Sequence, residues 1–181
     1  PQVLQAIEAF AMQGAHVIIQ TPYVICNDYM YGVLEHISEK TDTKVILNAV
    51  EKGSNPWGCT DYLNQKQKIL DTGVTVYELM NEHAVHTKAV LIDDDISIVG
   101  SYNLDIRSTY LDTELMLVIE SPELNEQIRA IEAAYMEKSK EVQPDGQETA
   151  GSLYKEKTLD KKKQIFYSVL RILVRPFRHL L

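Results

Sequence analysis

Apolar residues recur along this chain at two spacings, and the switches between them divide it into elements. In residues 2 to 13, Val3, Ile7 and Phe10 share one side of a helix, and Gly14 supplies its stop. His16–Gln20 is a short strand running into Thr21-Pro22-Tyr23. Asn27-Asp28 caps a second helix whose inner face is Met30, Val33, Leu34 and Ile37. Lys44–Ala49 is the next strand, and Glu51 to Gly58, rich in Gly, Asn and Pro, reads as a loop. Two roles are open to Trp57 in that loop: a lid over apolar substrate or an anchor for the loop. Thr60-Asp61 then opens a helix with Leu63, Ile69 and Leu70 inward, stopped by Gly73. Val74–Leu79, Ala89–Ile92, Ile96–Val99 and Glu114–Ile119 are strands. Between them, Asp93-Asp94-Asp95 has turn composition. Ser121-Pro122-Glu123 starts a helix that buries Leu124, Ile128, Ile131 and Tyr135. This order predicts an α/β fold: a mixed β-sheet flanked by helices on both faces.

A different texture follows. Gln143 to Ser152 has linker composition, so the chain divides into a body over 1–142, a linker over 143–156 and a tail over 157–181. In the tail, Lys157, Lys161, Gln164, Ser168, Arg171, Arg175 and Arg178 form one polar stripe, while Ile165, Phe166, Val169, Leu170, Ile172, Leu173 and Phe177 fill the rest. That is a C-terminal amphipathic helix, ended or kinked by Pro176. Its longest charge-free run, Gln164 to Leu170, is too short to cross a bilayer.

Charge sharpens this division. The net charge is −8, but Lys155 to Leu181 holds eight of the 18 basic residues and two of the 26 acidic ones, leaving +6 in the tail and −14 in the body. An acidic body is a poor surface for a nucleic-acid backbone, and no nucleic acid is expected as partner. A basic, apolar tail suits an anionic membrane surface, with Lys161, Arg171, Arg175, Phe166 and Leu170 as the contacts; packing on a part of the protein outside this sequence is the other reading. Hydrophobic residues at 45% fit a globular chain. Cys26 and Cys59 lie outside any metal-ligand spacing and read as reduced thiols of a cytoplasmic protein. A chain opening on Pro1 with no Met reads as an excised piece.

The candidate chemistry lies between His86 and Asn103. Residues two apart on a strand point the same way, so His86 and Lys88 project side by side from the mouth of Ala89–Ile92. A hairpin through Asp93–Asp95 brings Gly100-Ser101-Tyr102-Asn103 back beside them. An ammonium with neutral donors suits a phosphate diester, and an imidazole attacks phosphorus or moves a proton.

The spacing His86-x-Lys88-x4-Asp93-x6-Gly100-Ser101-x-Asn103 resembles the HKD motif of the phospholipase D superfamily. Asn103-Leu104-Asp105-Ile106-Arg107-Ser108 and Leu111-Asp112-Thr113-Glu114 are similar to its bacterial cardiolipin synthase branch, where Asn more often stands at the position of Asp112. Thr21-Pro22-Tyr23 resembles the opening of the second catalytic half of those enzymes, and the likeness covers about residues 1 to 140.

The resemblance implies half of an active site. Such enzymes pair two motifs across a pseudo-twofold axis: one His forms a phosphohistidine, the other moves the alcohol's proton. His16, His36, His83 and His179 all lack a following Lys at the required offset, so the second motif comes from the same longer chain or from a homodimer mate. Both roles, acid/base partner and nucleophile, stay open for His86. On this likeness Lys88 and Asn103 bind phosphate oxygens, Ser101 adds a hydrogen bond, and Gly100 allows close backbone approach. Glu114, 28 positions after His86, sits behind the imidazole. Asp93 belongs to the motif and holds the hairpin. Asp105, Arg107 and Ser108 shape the pocket, and His83 could line it. No metal or cofactor is implied. The expected activity is phosphatidyl transfer to phosphatidylglycerol at the cytoplasmic face of the bacterial cell membrane, from a peripheral position. The alternatives are a homodimeric phosphodiesterase acting on nucleic acid and a non-catalytic membrane-binding module.

Overall fold

A computed structural model describes residues 1–181. In chain order the elements are α1 (Gln2–Ala11), β1 (His16–Gln20), β2 (Val24–Ile25), α2 (Asp28–Ser38), β3 (Asp42–Asn48), α3 (Pro56–Asp71), β4 (Thr75–Leu79), β5 (Ala89–Ile92) and β6 (Ile96–Gly100). They continue with β7 (Leu104–Asp105), α4 (Ile106–Tyr110), β8 (Met116–Glu120), α5 (Pro122–Glu137), β9 (Ser139–Val142), β10 (Glu148–Ala150), α6 (Lys161–Leu173) and a 3-10 turn over Arg175–Leu180.

Eight strands form one mixed sheet in the order β10-β9-β4-β3-β1-β5-β6-β8. The apolar runs of β1, β3 and β4 pair in parallel at its centre, as runs buried on both faces should. The flanks are antiparallel: β5, β6 and β8 on one side, β9 and β10 on the other. Strand alternation sends Val17, Ile19, Val45, Val76, Val90 and Ile92 into a large core shared with α1, α2 and α3. Ile18, Ile46, Tyr77 and Leu91 point the other way, into a small core under α5. A second sheet of two short parallel strands, β2 and β7, sits apart.

Four expectations change. The segment read as a loop already turns helical at Pro56, because the Asn55 side chain accepts from Trp57 N (3.0 Å) and Gly58 N (3.3 Å) and Pro56 needs no donor of its own. The inner face of α5 is rotated: Ile131 is 53% exposed, whereas Asn125 and Glu132 are fully buried. Asn125 Nδ2 donates to Ile96 O (2.8 Å) at the start of β6, which sets the helix's rotation on the sheet.

The stretch expected as a linker is partly sheet. β10 pairs with β9 through a turn at Pro144-Asp145-Gly146, where Gly146 N donates to Gln143 O (2.8 Å) and Gly146 takes φ +84°. The tail, finally, is not a free amphipathic helix. Tyr167, Leu170 and Val174 are buried, and Arg171 donates to Asn64 Oδ1 (2.9 Å) and Leu63 O (3.2 Å) on α3. The opposite side, with Ile165, Phe166, Val169, Ile172 and Leu173, stays exposed. The helix thus has two apolar sides, and the one beside its arginine faces inward.

Candidate active site

The hairpin of β5 and β6 delivers the motif. Ala89 pairs with Val99, and Gly100 N donates to Lys88 O (3.3 Å), so Lys88 leaves its strand opposite the point where the chain continues to Ser101 and Asn103. The irregular segment before His86 is fixed by a side chain that no motif signalled. Asn48, at the end of β3, donates to Val85 O (2.8 Å) and Pro22 O (3.0 Å) and accepts from Val85 N (2.8 Å). Its one sequence signal is a carboxamide closing the apolar run Val45-Ile46-Leu47, at the carboxyl end of a parallel strand, where sites on such sheets gather. Thr21 acts similarly: its hydroxyl accepts from Leu104 N (3.2 Å) and donates to Tyr23 O (3.0 Å), tying β7 to the segment before β2.

His86 and Lys88 meet. Lys88 Nζ lies 2.7 Å from His86 Nδ1 and donates to His86 O (2.8 Å). Nζ also lies 3.4 Å from Nε2, and since an ammonium donates only to a ring nitrogen carrying a lone pair, its closeness disfavours a protonated ring. Burial, and then the Lys88 charge, hold His86 below the usual imidazole range. Burial also lowers Lys88, against the opposing pull of Glu114 and Asp105.

Glu114 was expected behind the imidazole, and the bond it makes is to Ser101. It accepts a hydrogen bond from Ser101 Oγ, and Leu115 N donates to the same Oγ (3.0 Å). The turn entering β8 therefore fastens Glu114 to Ser101. His83 is exposed and takes part in neither arrangement.

Asn103 is half-buried. Its N and Nδ2 both approach Ser108 Oγ (3.3 and 3.4 Å), while its Oδ1 is buried with no hydrogen-bond partner. Asp105 is buried and caps α4 by accepting from Ser108 N (2.5 Å); burial pushes its carboxyl up, against the Ser108 hydrogen bonds. Arg107 is exposed and pairs with Asp112 (2.9 Å), so the residue that departs from the motif supplies the partner. Gly100 has a steric role within the chain: a Cβ there would lie 2.0 Å from Leu115 O, so β8 could not pair so closely.

Asp93 stands apart from all of these. It lies at the turn of the hairpin, five residues from Lys88 or roughly 16 Å of strand. Its carboxylate accepts from Ala15 N and His16 N (both 2.9 Å), a scaffold bond at the opposite end from the imidazole.

Beside Asn103 opens a cleft of about 330 Å³, lined by Tyr23, Ile25, Asn55, Trp57, Asn103, Asp105, Arg107, Asp112, Leu180 and Leu181. Trp57, in the first turn of α3, is 44% exposed on its rim. Leu180 and Leu181 arrive from the far end of the chain, which periodicity could not have placed here. Of the residues expected at a membrane, Lys161, Phe166 and Arg175 are exposed, Leu170 is buried, and Arg171 is bonded to α3. No helix is long and apolar enough to cross a membrane.

The chain resembles cardiolipin synthase A of Wigglesworthia glossinidia brevipalpis, at 27% identity over 125 residues, 68% of this chain and 24% of that protein. Against cardiolipin synthase A of Klebsiella pneumoniae it is 28% identical over 130 residues, 69% of this chain and 25% of that protein. The chain therefore spans about a quarter of the length of these curated relatives.

Among solved structures it resembles Nuc of Salmonella typhimurium, a phospholipase D family member, with TM-score 0.62 and 15% identity over 77% of this chain and 90% of that one. Phosphatidylserine synthase of Haemophilus influenzae gives TM-score 0.66 and 15% identity over 99% and 45%. Both likenesses establish the fold. The family model described as "Cardiolipin synthase, PLD-like domain" matches residues 4–134, which contain the whole motif and its hairpin, and the chain belongs to that family.

Proposed function

We propose that this chain supplies one of the two His-x-Lys halves of a phosphatidyltransferase that makes cardiolipin from phosphatidylglycerol and a second phospholipid. One observation carries the reading: an imidazole and an ammonium 2.7 Å apart at the mouth of the hairpin that leads on to Asn103. Lys88 and Asn103 Nδ2 donate to the non-bridging phosphate oxygens, where charge builds up in the transition state. One motif's imidazole attacks phosphorus, a P–N bond forms, and the bond to the leaving alcohol breaks as the other imidazole protonates it. The incoming hydroxyl then gives its proton to that second imidazole and attacks phosphorus, and the P–N bond breaks. His86 fits either place. A phosphate drawing Lys88 away frees Nδ1 of His86.

Two surfaces support the rest of the reading. β8 is a sheet edge directly after Glu114, with Leu115, Leu117 and Val118 exposed, a fitting surface for the complementary half. On α6, Ile165, Phe166, Val169 and Ile172 form an exposed apolar side, with Ile172 68% exposed, and Lys161, Lys162 and Lys163 stand at its start. Such a helix lies on an anionic bilayer with its lysines at the headgroups.

The test is to assemble this half with its complementary half and supply phosphatidylglycerol vesicles. Appearance of cardiolipin supports the proposal. Absence of both cardiolipin and phosphatidic acid refutes it, and cleavage of DNA in place of lipid supports the phosphodiesterase reading.

A further inference from the structure

The tail returns to the site it follows in sequence. Arg178 grips Asp61 with two nitrogens, Nε to Oδ1 at 2.6 Å and Nη2 to Oδ2 at 3.1 Å, and Nη2 also donates to Tyr31 Oη (3.1 Å) and to Cys26 O. Asp61 is fully buried on α3 and has no other charge partner. Cys26 follows β2, whose partner β7 lies between Asn103 and Arg107. The latch therefore fastens the tail to α3, α2 and the residue after β2, whose partner strand β7 directly follows Asn103. A second bond, Arg107 N to Leu181 O (2.8 Å), draws the end of the tail against the motif's own arginine.

The consequence is a cleft of mixed character. Leu180 is 53% exposed and shares the cleft with Trp57, Tyr23 and Ile25, while Asn103, Asp105 and the Arg107–Asp112 pair form its polar side. Two large apolar side chains left in water beside a carboxamide and an ion pair suit a ligand that is polar at one end and greasy at the other.

Resting on the phosphatidyl-transfer reading, we propose that Leu180 and Trp57 form a specificity-determining apolar subsite for the acyl portion of the phospholipid next to its phosphate, with the Arg178–Asp61 latch as the device that positions Leu180. The exposed side of α6 holds the protein at a surface. The subsite selects what enters the cleft.

Trp57 is the single tryptophan, so its fluorescence reports this cleft and not α6. The chain is titrated with monomeric dihexanoylphosphatidylglycerol and, separately, with glycerophosphoglycerol, the same phosphodiester without acyl chains. The short-chain lipid binds at least about tenfold tighter, as expected for burying several methylenes, and shifts the emission to the blue. Leu180→Ser, at an exposed position that leaves the fold intact, weakens the lipid by about tenfold and the acyl-free diester by less than about twofold. Phe166→Ser, on the exposed side of α6, changes neither.

Equal binding of the two ligands by the wild type overturns the subsite and leaves the phosphodiester reading standing. So does an undiminished lipid affinity in Leu180→Ser. No response to the lipid also overturns the subsite, while the phosphatidyl-transfer reading stands or falls by the vesicle assay on the assembled halves.

Discussion

The two ends of the β5–β6 hairpin carry residues of one motif and have opposite characters. At the turn end, Asp93 is satisfied by two backbone donors, its own N donates to His16 O (2.9 Å), and Arg129 of α5 donates to its carbonyl. At the mouth, His86 is exposed, Lys88 leans on its ring, and the Asn103 amide nitrogen makes only a long 3.4 Å contact with Ser108. Satisfied groups hold a shape, and unsatisfied ones are free to bind. Motif membership alone does not separate the two roles; the hydrogen-bond inventory does.

Substitutions should therefore divide along the hairpin. The largest effect is expected from His86→Ala in the assembled enzyme: loss of lipid turnover by roughly 10³-fold or more, with an unchanged melting temperature because the ring is exposed. Lys88→Ala comes next, at about 10²- to 10³-fold in kcat, the usual loss when one donor to a developing oxyanion is removed. Both are read from the rate of cardiolipin formation. If either lowered stability and left the rate intact, the mouth would be scaffold too.

Asp93→Ala should do the reverse. Losing two charge-assisted bonds to backbone N–H groups costs about 1–3 kcal/mol, measured by urea denaturation, with turnover per folded molecule retained. Asp93 also sits at φ 46°, which Asn tolerates better than Ala, so Asp93→Asn is the milder variant. Its pH dependence has a definite sign. The His16 and Ala15 amides hold the Asp93 carboxyl below its ordinary 3.8. A depressed carboxylate contributes fully above its unfolded value and loses that contribution as pH falls through the folded one. The advantage of wild type over Asp93→Asn is therefore level above about pH 5 and shrinks on acidification below about pH 4.

The smallest effect is spectroscopic. Lys88→Met removes the charge that, after burial, depresses His86, so the His86 titration followed by NMR should move upward. A downward move would mean that Lys88 does not face the ring in solution.

Much of this was legible locally. Asn27 accepts from Met30 N (3.1 Å) and Ser121 from Leu124 N (3.3 Å), because a cap needs only its own neighbours. The hairpin followed from two apolar runs around three aspartates. Where periodicity failed, it failed at faces. On α5 a tally of apolar residues selects Ile131, yet the sheet receives Asn125 and Glu132; burial, only partly countered by Arg129, raises Glu132 to about 8, and neither carboxylate oxygen has a partner. We have no physical account of what that buried carboxyl is for.

By itself, the sequence determined the order of elements, their caps and turns, and the set of residue types able to handle a phosphate diester, since each depends on neighbours a few positions away. Which of those residues share a pocket was a tertiary matter. Glu114 bonds Ser101 across 13 positions, and Arg178 finds Asp61 across 117. A helical period records that a side is apolar and leaves open what covers it. On α6 the packing against α3 chose which apolar side would remain in water.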